Sequence, residues 1–424
     1  MKVLVIGSGG REHAMIRALA TTLDQDQIFI APGNPGTAEL ATNLDLAASD
    51  LDGLVNWARE NDISLVIPGP EQPLVDGIAD KFSAVNIPCC GPQSSAARLE
   101  GSKIFTRQVT TAVKVPAPEF AIAKTHDELD SALDNWKSGL PVVKADGLAA
   151  GKGVFLPDAM EDCRKIGHEL LDGKLGEASK ELLLEERLFG IEASLFFACN
   201  GLEAVALPHA RDHKRLDNDD QGPNTGGMGA ISPNPIITDE LLAGIVESTI
   251  QPTLQALHDH DASFVGFLFA GFMLTKDGPK LLEYNVRLGD PEAQAILPRL
   301  EDGEFLRLCL ATAKGNLEGF KLEVRKEHTC AVVVTAAGYP DATRKGDAMS
   351  IHAELETENR WLIHAGTKLD GTTLRTNGGR VAAVVARASS TEEAITQSYN
   401  GIPSVDYDGK HYRTDIGANK EGSL

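Results

Sequence analysis

Val3-Leu4-Val5-Ile6-Gly7-Ser8-Gly9-Gly10-Arg11-Glu12-His13 carries four apolar residues, a glycine-rich turn and the start of a helical pattern. A short apolar run closed by glycine reads as a buried strand, here 3–6, and 11–20 reads as the helix behind it. The rhythm then repeats. A strand at 28–30 ends in Ala31-Pro32-Gly33-Asn34-Pro35-Gly36. A helix at 50–61, with Asp50 as its N-cap, precedes a strand at 65–67 that ends in Pro68-Gly69-Pro70-Glu71. This alternation predicts an α/β fold on a parallel, doubly wound sheet. Ligands of such sheets sit beyond the carboxyl ends of the strands, which singles out the loops 7–13, 32–37 and 69–73. The dinucleotide pattern GxGxxG fails in the first loop. Glu12 stands where the third glycine belongs, and a carboxylate there repels a pyrophosphate. A glycine turn before a helix can still hold one phosphate.

Further along, a helix is expected from 94 and through Gly101-Ser102-Lys103, and 115–118 reads as a linker. Strands are expected at 141–145, 154–156, 182–185 and 191–198, and a long amphipathic helix at 239–257. Two strands, 267–275 and 280–285, flank the hairpin signal Lys276-Asp277-Gly278-Pro279. The last hundred residues are strand-rich, at 330–335, 361–365 and 381–386. No repeat or low-complexity tract interrupts the pattern.

The 424 residues suffice for about three domains. A net charge of −21 and only 5% aromatic residues argue against binding nucleic acid. An anionic ligand would therefore need locally concentrated Lys, Arg and backbone N–H groups. The six cysteines form no CxxC pair, which removes the usual zinc and redox signatures. No stretch approaches 18 apolar residues and the first residues carry no cleavable signal, so a cytoplasmic chain with no membrane span is expected.

Four segments could carry chemistry. Lys144-Ala145-Asp146-Gly147-Leu148-Ala149-Ala150-Gly151-Lys152-Gly153 places two lysines around a small-residue loop, able to close N–H groups on a polyphosphate. It is not a Walker loop, since Gly153 follows Lys152, and alone it is equally an ordinary turn. Glu185-Glu186-Arg187-Leu188 is either a solvated strand end or a hinge that reads an adenine edge. On one strand Glu283 and Asn285 share a face and Tyr284 takes the other, an oxygen pair suited to Mg²⁺, with Arg287 beyond. The same residues could also be a surface salt bridge. Finally, Gly222-Pro223-Asn224-Thr225-Gly226-Gly227-Met228-Gly229, near Arg211, Lys214 and Arg215, is a mobile loop or an anion cradle.

In this order and spacing the segments resemble the phosphoribosylamine–glycine ligases, a family within the ATP-grasp superfamily. The resemblance spans essentially the whole chain. It includes GxGGREH at 7–13, APGNPGT at 31–37, GPExPL at 69–74, GSK at 101–103 and KADGLAAGKGV at 144–154. It continues with DHKR at 212–215, GPNTGGMG at 222–229, ExNxRxGDPE at 283–292, HAGT at 364–367 and TNGGR at 376–380.

The resemblance implies an α+β ATP-grasp fold: a Rossmann-like domain at 1–102, an ATP-grasp domain at 103–325 with a lid at about 121–188, and a strand-rich domain at 326–424. It implies that ATP phosphorylates glycine and that 5-phospho-β-D-ribosylamine attacks the glycyl phosphate, in purine biosynthesis. Arg287, Lys144 and Asp212 are then expected in catalysis, and Glu283 and Asn285 on Mg²⁺ or Mn²⁺. ATP would meet Lys103, Lys144, Gly147, Gly151, Lys152, Gly153, Glu185, Glu186, Leu188 and Glu192. Glycine and the ribosylamine would meet Gly9, Gly10, Glu71, Asp212, Lys214, Asn224, Thr225, Gly226, Gly227 and Arg287, with the sugar phosphate at Gly9–Gly10. Because the pattern runs out shortly before Leu424, a stand-alone ligase with no obligate protein partner is expected. The rivals are a bicarbonate-activating carboxylase of the same superfamily and a nucleotide-binding module that has lost the chemistry.

Overall fold

A computed structural model describes residues 1–149 and 152–418. The opening strand Val3–Gly7 is buried along its whole length, which is why its apolar run is continuous rather than alternating. It lies between Ile28–Pro32 and Leu65–Pro68, parallel to both, with the short strand Thr42–Asn43 at the edge. The expected helices follow: Gly10–Leu19, and Leu51–Glu60 with the Asp50 carboxylate accepting from the Gly53 N–H.

One expectation is corrected at the exit from this unit. The helix from Ser94 stops at Gly101 rather than running through Lys103. Ser102 is extended (φ −144°), and its hydroxyl caps a second helix, Lys103–Ala112, by accepting from the Phe105 N–H at 3.0 Å. Lys103 thereby becomes the first residue of a helix instead of an interior one.

Among the described residues, three antiparallel sheets of four or five strands follow, with three two-stranded ones beside them. A small one orders Phe120–Ala123, Leu182–Glu186, Pro141–Ala145 and Val154–Phe155 side by side. It packs the helices His126–Asn135 and Met160–Glu169 onto its own core of Leu129, Leu133, Val143, Cys163, Leu182 and Leu184. The central sheet runs Glu203–Ala206, Ile191–Asn200, Val265–Thr275, Gly278–Asn285. The long helix expected over 239–257 divides into Asp239–Ile245, a π-helical turn Val246–Ile250 and Gln251–Asp259. Pro252 has no N–H for the preceding turn, and a widened turn accommodates that.

The last sheet sets Arg211–Asp212, Gly229–Ser232, His328–Thr335, Arg380–Ala388 and Arg360–His364 in that order. Two of its five strands precede residue 326, so this sheet is stitched into the middle of the chain. Among the described residues no helix is long and apolar enough to cross a membrane.

Candidate active site

A cleft of about 730 Å³ opens where the small sheet, the central sheet, the parallel sheet and the last sheet meet. That size is typical of a ligand site. Lys144, Leu148, Lys152, Gly153, Glu185, Glu186 and Leu188 line it from the small sheet and its loops. Glu192, Asp212, Lys214, Glu283, Asn285 and Arg287 line it from the central region. Glu71, Lys103, Asn224, Thr225 and Gly226 complete the expected set. Gly147 and Gly227 stand behind the lining, and Gly151 lies outside the described residues.

Glu283 and Asn285 do share the cleft face, while Tyr284 is buried on the other side with its hydroxyl 2.8 Å from that of Thr253. Burial pushes the Glu283 carboxyl up, but Lys214, Lys144, Lys103 and Arg287 outweigh it and leave the pKa lowered. Among the described residues this ionised carboxylate has no hydrogen bond or ion pair. The Asn285 oxygen accepts from Arg287 at 2.8 Å, and its Nδ2 is buried without a partner among the described residues. A free carboxylate beside an amide oxygen fits a hard divalent ion that takes its other ligands from phosphate and water. No group of three or more His, Cys, Asp or Glu among the described residues forms a self-contained metal site.

Arg287 is caged. It meets Glu100 at 2.8 Å and Glu71 at 3.4 Å, besides Asn285, and donates to the Leu288 carbonyl at 3.4 Å. Glu100 also accepts from the Val286 N–H at 2.7 Å. Burial raises the Glu100 carboxyl to about 7 in spite of Arg287, with Glu71 adding to the rise. The cage fixes the guanidinium in one orientation and holds its own pKa up despite burial.

Glu185 is not available to read a base. Its two oxygens are taken by Arg107 and Lys144, in an ion triad that is almost wholly buried. Burial pushes this carboxyl up, and Lys144 and Arg107 together bring it below its usual value. Arg107 also donates to the carbonyls of Leu281 at 3.2 Å and Leu282 at 2.7 Å, bolting the small sheet to the central one. Glu186 is taken as well, by Lys280 at 3.2 Å and the Glu119 N–H at 3.3 Å.

Lys214 pairs with Glu192 at 2.9 Å. Burial lowers the Lys214 ammonium, but Glu192, Asp212 and Glu283 more than reverse it. Asp212 is raised by burial and by Glu192 and Glu283, against Lys214. Glu292 beside it is raised to about 7 by burial and by Asp212. The 222–229 loop is held rather than loose. Thr225 bonds the Lys214 carbonyl through both N–H and hydroxyl at 2.8 Å, and the Gly226 N–H reaches the Tyr339 hydroxyl at 3.0 Å. Gly227 has φ +117°, and a Cβ there would sit 2.3 Å from Pro291 Cδ, so only glycine fits.

The turn at Gly9–Gly10 is the weakest of the expected contacts. The Gly9 N–H is already given to Glu12 Oε2 at 2.6 Å, and a Cβ on Gly10 would meet Gln294 at 2.5 Å. Neither glycine lines the cleft. Arg380 and Arg11 stand nearby, both facing Asp290. Arg11, Glu100, Arg107, Asp290, Glu292, Tyr339 and Arg380 all line the cleft and were not singled out from the sequence. Asp290, Glu292 and Arg380 fall inside the quoted GDPE and TNGGR motifs, which was the available signal. Arg107 and Tyr339 carry none.

Family models of phosphoribosylglycinamide synthetase match the chain as an N domain over 1–100, an ATP-grasp (A) domain over 101–293 and a C domain over 329–419. A phosphoribosylamine–glycine ligase of Brucella melitensis is 41% identical, with 98% of this chain and 97% of that protein covered. A bifunctional purine biosynthetic protein of Schizosaccharomyces pombe is 40% identical over 97% of this chain, which spans only 53% of that longer relative. The crystal structure of phosphoribosylamine–glycine ligase from Thermotoga maritima superposes with a TM-score of 0.85 at 32% identity, covering 98% of this chain and all of the other. The biotin carboxylase domain of a Hydrogenobacter thermophilus 2-oxoglutarate carboxylase shares the fold at a TM-score of 0.71 and 15% identity, over 96% of this chain and 91% of that one. Matched in all three domains and along nearly its whole length, the chain belongs to the phosphoribosylglycinamide synthetase family.

Proposed function

We propose that the chain joins glycine to 5-phospho-β-D-ribosylamine at the expense of ATP, giving glycinamide ribonucleotide, ADP and phosphate through glycyl phosphate, in purine biosynthesis in the cytoplasm. One observation carries the reading: Lys103, Lys144, Lys214 and Arg287 surround the Glu283 carboxylate, which has no hydrogen bond or ion pair among the described residues, in a chain whose net charge is −21. Such a concentration of cations has a use where phosphate charge must be neutralised, and phosphoryl transfer is mostly positioning and neutralisation.

ATP-grasp folds take ATP with a divalent metal, and we assign Glu283 and Asn285 to Mg²⁺ or Mn²⁺. A divalent ion held there supplies charge neutralisation on the phosphates. Lys103 and Lys144 then face the phosphate chain, with Leu148, Lys152 and Gly153 lining the cleft beside it. Because both hinge carboxylates are occupied, we assign adenine recognition to the backbone at Arg187–Leu188 and not to the Glu185 side chain. Asp212 offers a carboxylate to the glycine ammonium, with the Glu292 carboxyl beside it raised by burial and by Asp212, and Lys214 holds Glu192 in place. Arg287, immobilised by Glu71, Glu100 and Asn285, stabilises the oxyanion that forms as the amine attacks the acyl phosphate. Residues 120–186 serve as a lid that keeps the acyl phosphate from water. Thr225, Gly226 and Arg380 border the space we assign to the ribosylamine.

The test is ADP release from ATP and Mg²⁺, with phosphoribosylamine generated in the assay from ribose 5-phosphate and ammonia. Release is expected only when glycine and the amine are both present, with a product heavier than the amine by one glycyl unit. Release triggered by bicarbonate would replace this reading with the carboxylase one. Nucleotide binding without turnover under any combination would leave a binding module.

A further inference from the structure

One wall of the cleft rests on a hairpin that its own residues do little to stabilise. The strand Arg215–Asp217 pairs with Gln221–Asn224 through a bulge, and among the described residues the pair joins no larger sheet. An isolated two-stranded hairpin is marginal in water. Its one aliphatic side chain, Leu216, packs on the core of the last sheet, and Gln221–Asn224 is exposed along its whole length. Yet Lys214 leads into this hairpin, Asn224 and Thr225 lead out of it, and all three line the cleft. The turn is strained as well. Asp219 and Asp220, neither of them glycine, take φ of 61° and 52°. Left-handed backbone is unfavourable for any residue with a Cβ, and it persists where the surroundings over-determine it.

Those surroundings are residues 411–417, which meet the turn across a sequence separation of 196. Asn218 and Thr414 bond reciprocally. The Asn218 Nδ2 donates to the Thr414 hydroxyl at 2.7 Å, and its Oδ1 accepts the Thr414 N–H at 2.9 Å. The Asp219 N–H donates to Asp415 at 2.9 Å. Arg413, only 1% exposed, donates to both Asp415 oxygens at 2.8 Å. Its remaining nitrogen reaches the Asp220 carboxylate at 2.8 Å and the Arg215 carbonyl at 3.1 Å. His213, between the cleft residues Asp212 and Lys214, accepts the Gly417 N–H on Nε2 at 3.1 Å. The segment is itself anchored. His411 and Thr335 exchange backbone bonds at 2.8 and 3.1 Å, and the Tyr399 hydroxyl links the Arg413 carbonyl to the Ile416 N–H.

We propose that 411–417 is a strap that sets where Lys214 and 224–226 stand in the cleft, with Arg413 as its positioning residue. Arg413 does not line the cleft. It acts through the Arg215 carbonyl on the first strand and through Asp220 in the turn, so one buried side chain fixes the hairpin at two points. Lys144 on the opposite wall is held by Glu185 instead. The strap therefore governs the ribosylamine side of the reaction and leaves the ATP side alone, which rests on the assignment of Thr225 and Gly226 to the ribosylamine.

The test uses the full chain with Asn218→Ala, which cuts two exposed ties, and with Arg413→Lys, which keeps the charge and loses the fork. The first readout is amide exchange without substrates. The Thr225 and Met228 N–H groups, bonded to the carbonyls of Lys214 and His213, should exchange roughly tenfold faster in each variant, with Ile191–Asn200 as in the parent. The second readout is ADP release. The KM for ribosylamine should rise about tenfold in Asn218→Ala and further in Arg413→Lys, with the KM for ATP unchanged. Unchanged exchange in both variants overturns the strap. Faster exchange with an unchanged ribosylamine KM overturns the positioning role and leaves a structural tie. A parallel rise in both KM values, with faster exchange in Ile191–Asn200, is general loosening and overturns it too. A parent chain without turnover removes the ligase reading alone, and the exchange result still decides the strap.

Discussion

Glu283 shows how the site is built at the scale of one side chain. An ionised, half-buried carboxylate normally collects an ion pair or a hydrogen bond, and this one makes neither among the described residues although four cations lie around it. We predict that Glu283→Gln and Asn285→Ala each lower metal-dependent ADP release by about tenfold to a hundredfold. The circular dichroism spectrum should not change. Metal titrations identical to the parent in both variants would remove the assignment. Glu292 makes the opposite case. Its carboxyl is raised from 4.5 to about 7 by burial and by Asp212, so the native state keeps a proton that the unfolded chain has released. The relative stability this gives is complete below about pH 4.5 and is lost as pH rises through about 7. Glu292→Gln should therefore raise the Tm at pH 8, while the difference shrinks toward zero at pH 4.5. A Tm gap that does not vary with pH would show that the carboxyl titrates normally.

Among the elements, Asp146 couples two that the sequence treats as separate. Its Oδ1 accepts from the Ile104 N–H at 2.7 Å and from the Ser102 hydroxyl at 3.0 Å, and its carbonyl accepts from the Lys103 N–H at 3.2 Å. The end of strand Pro141–Ala145 thus caps the helix that carries Lys103, and one residue sets the spacing between Lys103 and Lys144. Asp146→Ala should cost about 1 kcal/mol in stability, as lost caps do. It should also raise the KM for ATP roughly tenfold, because the two lysines lose their common frame. A variant with lowered Tm but unchanged KM would make the residue a cap and nothing more. This coupling explains which elements were legible in advance. The strands 3–6, 28–30 and 65–67 announce themselves by short apolar runs, and Asp50 by its place before a helical pattern. Ser102 also has the chemistry of a cap, but it stands between two helical patterns with no apolar break, so its sequence context reads as helix interior. Likewise, Glu283 and Asn285 are two apart on a strand, so their common face follows from the pleat. Arg107 and Glu185 are 78 residues apart, and only the fold reveals that they meet.

Across the whole molecule the same distinction separates what is tied by non-local strand pairing from what is tied by a few polar contacts. The last sheet draws Gly229–Ser232 into register with His328–Thr335 a hundred residues later, a non-local pairing that no local pattern encodes, and Arg211–Asp212 joins it at the edge by pairing with Gly229–Ser232. It welds the 222–229 loop and Arg380 into one rigid wall of the cleft. The opposite wall is attached differently. The small sheet has its own modest core around Leu129, Val143 and Leu184. Its ties to the central sheet are mostly polar: the Arg107–Glu185–Lys144 triad, Lys280 on Glu186, and the Leu281 N–H on the Pro116 carbonyl at 2.8 Å. A buried triad resists removal of any one member, but the apolar core of the small sheet is separate from that of the central sheet, so the two are joined by a few polar ties rather than by a shared core. Amide hydrogen exchange should accordingly be faster in 120–123, 141–145 and 182–186 than in the central strands Ile191–Asn200 and Val265–Thr275. Mg²⁺–ATP, binding only the closed arrangement, should slow the small sheet by about a hundredfold at a concentration of 100 Kd, and leave the central strands unchanged. Uniform slowing of both sheets would mean that nucleotide stabilises the molecule as a single unit, and that 120–186 is a wall of the site rather than its lid.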